Sequence, residues 1–266
     1  MGATPLRSLC IALLGRRRWA GPVTFWTELY HALLPSRTRG IGIVTRHLAR
    51  RGDCVLDVGA NIGRITHELA RAVGPAGRVH AFEPVPMARR VLEALVRLRR
   101  LRQVTVVAAA AGSVDGELEL LVPLKDGWKP MHQITHSACG REEGGLSLRV
   151  PCRRLDSYWR EQGEPEVSLL KCDTEGGELH VLEGARELLA RCRPALFCEV
   201  EEPYLARQGH RPEQVFAFLG ERGYRAFRAD VDERLVEVAG YEDRRCYFFI
   251  HPARWPAGLP PPPGPG

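Results

Sequence analysis

Lysine is nearly absent from this sequence, although basic residues are abundant. The chain has 38 basic residues, and lysine occurs at only three positions, 125, 129 and 171. Arginine is therefore the ordinary cation of the protein. Because Lys171 ends an apolar run that starts at Val167, we interpret this lysine as a chemical requirement of its position.

Long apolar runs and closely paired cysteines are also missing. No stretch approaches the roughly 20 apolar residues that a membrane-spanning helix needs, so no transmembrane segment is expected. The apolar segment at 9–15 is followed by three arginines instead of a small-residue cleavage site, so export is not expected. The eight cysteines form no C-x-x-C motif, which excludes a zinc ribbon or dithiol redox motif and predicts reduced thiols in the cytoplasm.

The positive charge lies mostly in the first hundred residues, and the formal net charge is +6. A basic half is compatible with a phosphate-bearing or anionic membrane partner. It also arises where arginine simply replaces lysine on solvated helical faces. No aromatic interleaving or RNA-binding motif accompanies these arginines, so we favour solvated faces and expect no nucleic-acid partner.

The 266 residues suit one α/β domain with additions at both ends. Residues 1–50 are predicted to form an N-terminal helical extension, and residues 51–252 the domain itself. The proline-rich tail, 253–266, lacks the residues to pack or pair and is expected to be disordered or extended.

Apolar strand patterns alternate with helical patterns along the domain. The predicted strands are 53–58, 78–82, 104–109, 117–122, 146–150, 167–172 and 195–200. The predicted helices are 62–73, 87–98, 155–160, 178–190 and 212–222. This alternation is typical of a parallel sheet built from βαβ units. Further strands at 224–228, 235–238 and 246–250 have no helices between them, which predicts an antiparallel C-terminal edge.

A glycine loop joins the first strand to the first helix, where doubly wound sheets bind nucleotides. It contains Asp57, Gly59, Ala60, Asn61 and Gly63, all of which we assign to cofactor binding. The glycines allow a ligand to approach the backbone. The spacing differs from the G-x-G-x-x-G pattern that holds a pyrophosphate. The aspartate before the loop would repel phosphate and attract a cationic amine.

Glu83 ends the second strand, 20 residues after Gly63. A carboxylate at this position accepts hydrogen bonds from ribose hydroxyls in nucleoside-binding sheets. A nucleoside with a ribose, no diphosphate and a positive group is S-adenosylmethionine. The loop and Glu83 together therefore predict S-adenosylmethionine as the cofactor.

At this point the sequence resembles the FkbM family of S-adenosylmethionine-dependent methyltransferases over about residues 50–250. The similar blocks are LDVGANIG (56–63), AFEP (81–84), AAAGSVDGELEL (109–120), VPCRRLDS (150–157), LLKCDTEGGELHVLEGA (169–185) and RPALFCEVE (193–201). The resemblance implies an α/β class I methyltransferase fold, Rossmann-like and doubly wound, with about seven strands and methyl transfer to an oxygen of a sugar, glycolipid or natural product. We also assign Ala110, in the third block, to the cofactor pocket.

Acidic residues gather where the strands at 167–172 and 195–200 end. Methyl transfer depends on holding the acceptor oxygen in line, and a hydroxyl acceptor must lose a proton. Asp173 and Glu199, with Lys171, are our candidate catalytic residues. Two alternatives stay open. The acids, with Glu175, could bind a divalent metal, although we assign no metal ligand, or the set could be a structural ion-pair network.

The insert at 126–138 contains Trp128, His132 and His136. A loop of this length in a compact domain is commonly functional, and tryptophan with polar neighbours suits a sugar. We assign these three residues and Glu175 to the acceptor, a small molecule or glycan. A packing tryptophan with solvated histidines is the alternative. For the whole protein, the alternatives to an O-methyltransferase are an RNA methyltransferase and a non-catalytic nucleoside-binding module.

Overall fold

The structure, a computed structural model, describes residues 16–36, 38–122, 124–125, 129–130, 135–136, 146–243, 245–256 and 259. Side chains are described for the same residues except 16–24, 122, 124–125, 129–130, 135–136 and 146. Among the described residues, no helix is long and apolar enough to cross a membrane.

The strands are β1 Cys54–Val58, β2 Arg78–Phe82, β3 Val104–Val107, β4 Ala110–Ala111, β5 Gly116–Val122, β6 Leu124–Lys125, β7 Lys129–Pro130, β8 Thr135–His136, β9 Leu146–Arg153, β10 Val167–Cys172, β11 Ala195–Glu199, β12 Arg225–Ala229, β13 Leu235–Val238 and β14 Cys246–Ile250. The helices are α1 Arg16–Leu33, α2 Ile41–Ile43 with a following π turn Val44–Leu48, α3 Arg64–Val73, α4 Pro86–Leu98, α5 Leu155–Glu161, α6 Glu178–Glu183, α7 Arg186–Cys192, α8 Glu202–Arg207 and α9 Pro212–Gly220. A 3-10 turn covers Pro252–Arg254.

The main sheet has eight strands in the order β13-β12-β14-β11-β10-β1-β2-β3. The pairs from β11 through β10, β1 and β2 to β3 are parallel. The pairs β11–β14, β14–β12 and β12–β13 are antiparallel. The predicted doubly wound sheet with an antiparallel C-terminal edge is therefore confirmed. Its eighth strand, beyond the seven that the resemblance implied, is β13 at the outer edge.

Helices cover both faces of this sheet because its central strands are apolar on both sides. Val55 and Leu169 pack with Leu69 of α3 on one face. Leu56 and Leu170 pack on the other face in a cluster that includes residues of α5, α6 and α7. Side chains alternate between the faces along each strand, so neighbouring residues of β1 and β10 enter different cores. Because β11, β10, β1 and β2 are parallel, their carboxyl ends lie together at one edge of the sheet, and the site lies at this edge.

A second sheet, in the order β4-β9-β5-β8, lies beside the end of β3. The predicted strand 104–109 ends earlier than expected, at Val107, because the chain leaves the main sheet there, and the next two-residue strand, Ala110–Ala111, pairs with β9 instead. Strand β9 runs to Arg153, beyond the predicted end at 150, since β5 pairs with it from Leu146 to Cys152 and Ala111 of β4 pairs with Arg153. This sheet places Ala110 and Leu120 next to the carboxyl edge of the main sheet.

The single helix predicted at 178–190 is wrong, because the chain breaks at Gly184 into α6 and α7. A Cβ at position 184 would lie 2.0 Å from the Gly112 carbonyl oxygen, so the chain passes too close to its neighbour for a side chain. The carboxylate of Asp156 then accepts hydrogen bonds from the Glu187 and Leu188 amides, which caps the new helix start.

The two ends of the described chain pack on the domain. Leu29 and Ala32 of α1 contact Val91 and Leu95 of α4. Trp255 lies edge-on to Phe227 with ring centroids 5.3 Å apart, so packed structure continues past the predicted boundary at 252. The predicted disordered tail falls largely outside the described residues, and the division into three regions stays a prediction.

Candidate active site

The loop after β1 is held against β2 by its backbone. The amides of Gly59 and Ala60 both donate to the Phe82 carbonyl oxygen, at 3.1 and 2.9 Å. Gly59 has φ +75°, and a Cβ there would lie 1.8 Å from the Asp173 carbonyl oxygen. A side chain at this position would therefore drive the loops after β1 and β10 apart.

Beneath this loop, Lys171 and Asp57 form a buried ion pair. The Lys171 Nζ lies 3.2 Å from Asp57 Oδ1 and 3.6 Å from Asp173 Oδ2. It also donates to the carbonyl oxygens of Val58 and Gly59, at 3.2 and 2.7 Å. Burial would lower the pKa of Lys171, but Asp57 and Asp173 raise it overall. The ammonium is therefore charged at neutral pH and ties the glycine loop to β10.

Asp57 does not occupy the position that the sequence predicted for it. Its side chain is fully buried, and Oδ2 accepts a 2.6 Å hydrogen bond from Thr66 Oγ1. It does not line the cavity described below, and Lys171 is only 2% exposed. The carboxylate is therefore used to hold Lys171 and the start of α3, which leaves no face of Asp57 for a cofactor amine.

Glu83 is buried at the end of β2 with both carboxylate oxygens engaged. Its Oε2 accepts from the Asn61 amide at 2.7 Å, and its Oε1 accepts from the Val85 amide at 2.8 Å. Burial raises the pKa of Glu83 to about 7, against these hydrogen bonds and the charge of Lys171. Each carboxylate oxygen has a second lone pair, so Glu83 can still accept hydrogen bonds from a ligand.

The first cavity, of about 270 Å³, lies above the ends of β1, β2 and β10. Six residues that the sequence assigned to the site line it: Gly59, Asn61, Glu83, Ala110, Asp173 and Glu175. The lining residues that sequence reasoning missed include Pro84, Ala109, Ala111, Leu120, Thr174 and Arg245. Ala60 and Gly63, which the sequence also assigned to the cofactor, are buried beside the loop and do not line this cavity.

Three carboxylates converge where β10 and β11 end. One oxygen from each of Asp173, Glu175 and Glu199 lies within 4.8 Å of the others. Burial and the Asp173 carboxylate raise the pKa of Glu199, to about 10. Burial alone would raise the pKa of Asp173 too, but the ammonium of Lys171 lowers it overall. Asp173 is therefore the stronger acid of the two, and Glu199 takes up a proton more readily.

Glu175 shares this environment and has φ +54°. Burial and Asp173 raise the pKa of Glu175 to about 8. Its Oε2 is buried and has no hydrogen-bond partner among the described residues. Glu178, by contrast, accepts from the Thr174 amide and hydroxyl and from the Gly176 amide, at 2.8, 2.9 and 3.2 Å. It therefore braces the turn after Asp173.

Arg245 supplies positive charge next to the acidic cluster. Its Nε forms ion pairs with Glu199 and, at 2.9 Å, with Glu201. The residue precedes β14, which is antiparallel to β11 and pairs Cys246 with Glu199. A signal was available in the sequence, since an antiparallel strand must start at the edge where the parallel strands end. This rule assigns the start of the predicted strand 246–250 to the site.

A second cavity, of about 550 Å³, opens on the other side of Asp173 and Arg245. Both of these residues line both cavities. The second cavity is also lined by Thr38 and Arg39 from the segment after α1, and by Phe197 and Phe248. Asp173 therefore stands at the boundary between two adjoining spaces.

The residues predicted in the insert are described only in part. Trp128 and His132 lie outside the described residues. His136 lies in β8, paired with Leu120, and Leu120 lines the first cavity. The backbone of His136 is thus near the site, while its side chain lies outside the described part.

The first cavity fits a nucleoside with a ribose. Glu83 offers hydrogen-bond acceptors at the point where ribose hydroxyls are expected. Gly59 has no side chain, so its backbone forms part of the cavity wall. Ala109, Ala110 and Ala111 form a small-residue wall suited to a flat ring. The acidic lining from Asp173 and Glu175 suits a positive group and disfavours a diphosphate. These features agree with S-adenosylmethionine.

The Methyltransferase FkbM domain model matches residues 57–226. Methyltransferase sdnD of Sordaria araneosa is 29% identical over 196 residues, which cover 64% of this chain and 73% of sdnD. The 2-O-methyltransferase NoeI of Sinorhizobium fredii is 28% identical over 151 residues, which cover 52% of this chain and 60% of NoeI.

Among solved structures, a methyltransferase FkbM from Methylobacillus flagellatus is similar with a TM-score of 0.47 and 15% identity. That alignment covers 87% of this chain and 60% of the other. The family match extends from Asp57 at the end of β1 to Ala226 in β12, so it contains the glycine loop, Glu83 and the acidic cluster. The chain therefore belongs to the FkbM methyltransferase family, and S-adenosylmethionine is its cofactor.

Proposed function

We propose that this methyltransferase methylates a hydroxyl oxygen of a small-molecule acceptor, a sugar, glycolipid or natural product. The observation that supports this most is the position of Asp173, a carboxylate with a lowered pKa at the boundary between two cavities. The cofactor supplies an electrophilic methyl group on a sulfonium. A hydroxyl acceptor needs a nearby base, and a carboxylate that is ionised at neutral pH meets that need.

In this proposal the first cavity holds the cofactor. Glu83 accepts hydrogen bonds from the ribose hydroxyls, while the backbone of Gly59 and Asn61 lies against the nucleoside. Ala110 forms part of the wall beside the ring. Asp57 acts indirectly, because it fixes Lys171, and Lys171 fixes the carbonyl groups of the loop. Lys171 is thus a positioning residue in place of the catalytic role first assigned to it.

The acceptor occupies the second cavity and presents its hydroxyl to Asp173. Glu199 lies beside Asp173 as the weaker acid of the two, and Arg245 holds Glu199 in place. Neighbouring carboxyl groups whose pKa values are pushed apart are a usual device for setting one as a base. Glu175 lies at the rim, where it can contact either ligand.

The acceptor class follows the family resemblance, and the similarity to NoeI, a 2-O-methyltransferase, agrees with transfer to oxygen. We further propose that 1–50 is an extension and 51–252 the catalytic domain, with Trp128, His132 and His136 of the insert near the acceptor. The cytoplasmic location stays a prediction from the cysteine pattern.

The proposal is tested by incubating the protein with cell extract and S-adenosylmethionine carrying a ¹³C methyl group. Mass spectrometry locates the labelled product, and NMR identifies the atom that bears the methyl group. We expect an O-methyl group on a small molecule. A labelled nitrogen or carbon would contradict the proposal, and label in the RNA fraction would favour the alternative of an RNA methyltransferase. A control without protein defines the background.

A further inference from the structure

We propose that the acceptor carries an acidic group, a carboxylate or a phosphate, which binds arginine side chains in the second cavity. The inference rests on the proposed function, because it identifies the second cavity as the acceptor site. It concerns the substrate class, which the family match leaves open. Some cations of this cavity are already neutralised by carboxylates, and others are not.

Five cationic side chains line the second cavity. They are Arg39, Arg64, Lys171, Arg228 and Arg245. Three of the five have carboxylate partners. Lys171 pairs with Asp57 and Asp173, Arg228 with Glu242, and Arg245 with Glu199 and Glu201. These three cations therefore add little net positive charge to the cavity.

Arg39 and Arg64 are different. Neither forms an ion pair with any carboxylate in the described part of the chain. Arg64 is half-buried at the start of α3, its Nη2 donates to the Pro35 carbonyl oxygen, and its Nε is buried without a hydrogen-bond partner among the described residues. Arg39 is exposed at the rim. Two uncompensated guanidinium groups from separate elements thus face one space.

A buried guanidinium N–H without an acceptor is unfavourable, and an anionic ligand removes that cost. Guanidinium groups also bind carboxylate and phosphate through paired, charge-assisted hydrogen bonds. The uncharged part of such a molecule can pack on Phe197 and Phe248, which also line the cavity. Their rings stack with centroids 4.9 Å apart and form an apolar surface. Asp173, which also lines this cavity, then faces the hydroxyl, so the acid group and the reacting oxygen bind to different lining residues.

The first cavity does not share this character. Arg39 and Arg64 do not line it. Its lining has three acids and one cation, Arg245, whereas five cations and three acids, Asp173, Glu199 and Asp243, line the second cavity. The two arginines are therefore specificity residues for the acceptor, and changing them leaves the cofactor contacts in place. This separation makes the proposal testable without a known acceptor.

The test uses three probes of known chemistry: glucuronate, glucose 6-phosphate and neutral glucose. Each is titrated at constant ionic strength into full-length protein saturated with S-adenosylhomocysteine, and binding is followed by calorimetry and by the shift in Tm. We expect the two anionic probes to bind at least tenfold more tightly than glucose. The stronger of the two distinguishes a carboxylate site from a phosphate site.

Arg39→Gln and Arg64→Gln should each weaken the anionic probes by about tenfold, the usual effect of losing a hydrogen bond to a charged group. Arg71→Gln is the matched control, because Arg71 is an exposed arginine of the same helix as Arg64 and does not line the cavity. S-adenosylhomocysteine affinity, which should be unchanged in all three variants, shows that each is folded.

Anionic probes that bind no better than glucose would overturn the proposal, and so would equal losses in the test variants and the control. Either result is compatible with methyl transfer to a hydroxyl of an uncharged acceptor, so the proposed function would survive it. Conversely, a methyl group found on nitrogen would remove the proposed function while probe binding to the arginines could persist. The two failures are thus distinguishable.

Discussion

The Nζ atom of Lys171 lies 3.2 Å from Oδ1 of Asp57, and both side chains are almost completely buried where β10 and β1 run side by side. The same ammonium donates to the loop that lines the first cavity. One ion pair therefore connects the stability of the sheet edge with the shape of the cofactor site.

Lys171→Met should destabilise the protein strongly. The substitution leaves the Asp57 carboxylate buried without its counter-ion, a change that costs about 3–5 kcal/mol in the free energy of unfolding. Urea denaturation measures this. The double variant Asp57→Asn with Lys171→Met should lose less than Lys171→Met alone, since the fully buried position 57 no longer carries an unpaired charge. Wild-type stability in the single variant would show that the pair is not the brace we describe.

Glu83→Gln should weaken S-adenosylmethionine binding. The amide keeps the size of the side chain but loses the charge, and its donating NH₂ group replaces one of the two oxygens that accept from the Asn61 and Val85 amides. We expect a loss of about tenfold to a hundredfold, the scale of one or two charged hydrogen bonds. Calorimetry checks this against Glu93→Gln, a surface change on α4 whose carboxylate contacts Arg89 and Arg97.

The ionisation of Glu83 should make the affinity for S-adenosylmethionine depend on pH. Burial raises the pKa of Glu83 to about 7, so the group is ionised above pH 7 and becomes a neutral acid as the pH falls below it. The ionised form is the better acceptor for ribose hydroxyls, so cofactor affinity should fall between pH 8 and pH 6. The profile of Glu83→Gln should be flatter over this range. Parallel profiles would assign the titration to another group, such as Glu175.

Gly59→Ala should disrupt the cofactor loop through steric contact. Its Cβ would lie 1.8 Å from the Asp173 carbonyl oxygen. Gly163→Ala is the control, because Gly163 has a similar φ, +81°, and nothing within 4 Å. In the control, the free energy of unfolding should fall only by roughly 1–2 kcal/mol, the cost of placing alanine in the left-handed backbone conformation. The control should keep its cofactor affinity. Equal effects in the two variants, by thermal unfolding and calorimetry, would show that backbone strain alone is responsible.

Removing divalent metal should leave turnover unchanged. Although Asp173, Glu175 and Glu199 have oxygens close enough to hold an ion, the Arg245 guanidinium already supplies positive charge to Glu199. Treatment with EDTA followed by desalting, then an assay of labelled methyl transfer, tests this. Lost turnover that magnesium restores would favour the metal alternative and assign the three acids as ligands.

Much of the sheet was predictable because its strands are short apolar runs between helices with clear periodicity. The predictions for β2, β10, β13 and β14 match the observed bounds. The split at Gly184 was not predictable, because it depends on a close approach to Gly112, about 70 positions away in the chain. A helical pattern carries no information on such contacts.

The site was predictable as far as strand ends show which residues meet. The predicted strand ends correctly indicate that Glu83, Asp173 and Glu199 lie at one edge of the main sheet. It could not show that Asp57 faces inward, because burial at a strand end depends on the neighbouring strands. For the same reason it interpreted Lys171 as a possible catalyst, whereas the register of β1 with β10 sets Lys171 directly beside Asp57.

The most direct test of the account is the turnover of Asp173→Asn, measured as labelled methyl transfer from S-adenosylmethionine to the acceptor identified in extract. The amide cannot take up the hydroxyl proton, so we predict turnover at least about a hundredfold slower. Cofactor affinity should stay close to that of the wild type. Glu199→Gln should slow the reaction less, and Asp232→Asn, at an exposed carboxylate that lines neither cavity, should not slow it. Wild-type turnover in Asp173→Asn would contradict the account and leave the acidic cluster as structural support for the strand ends.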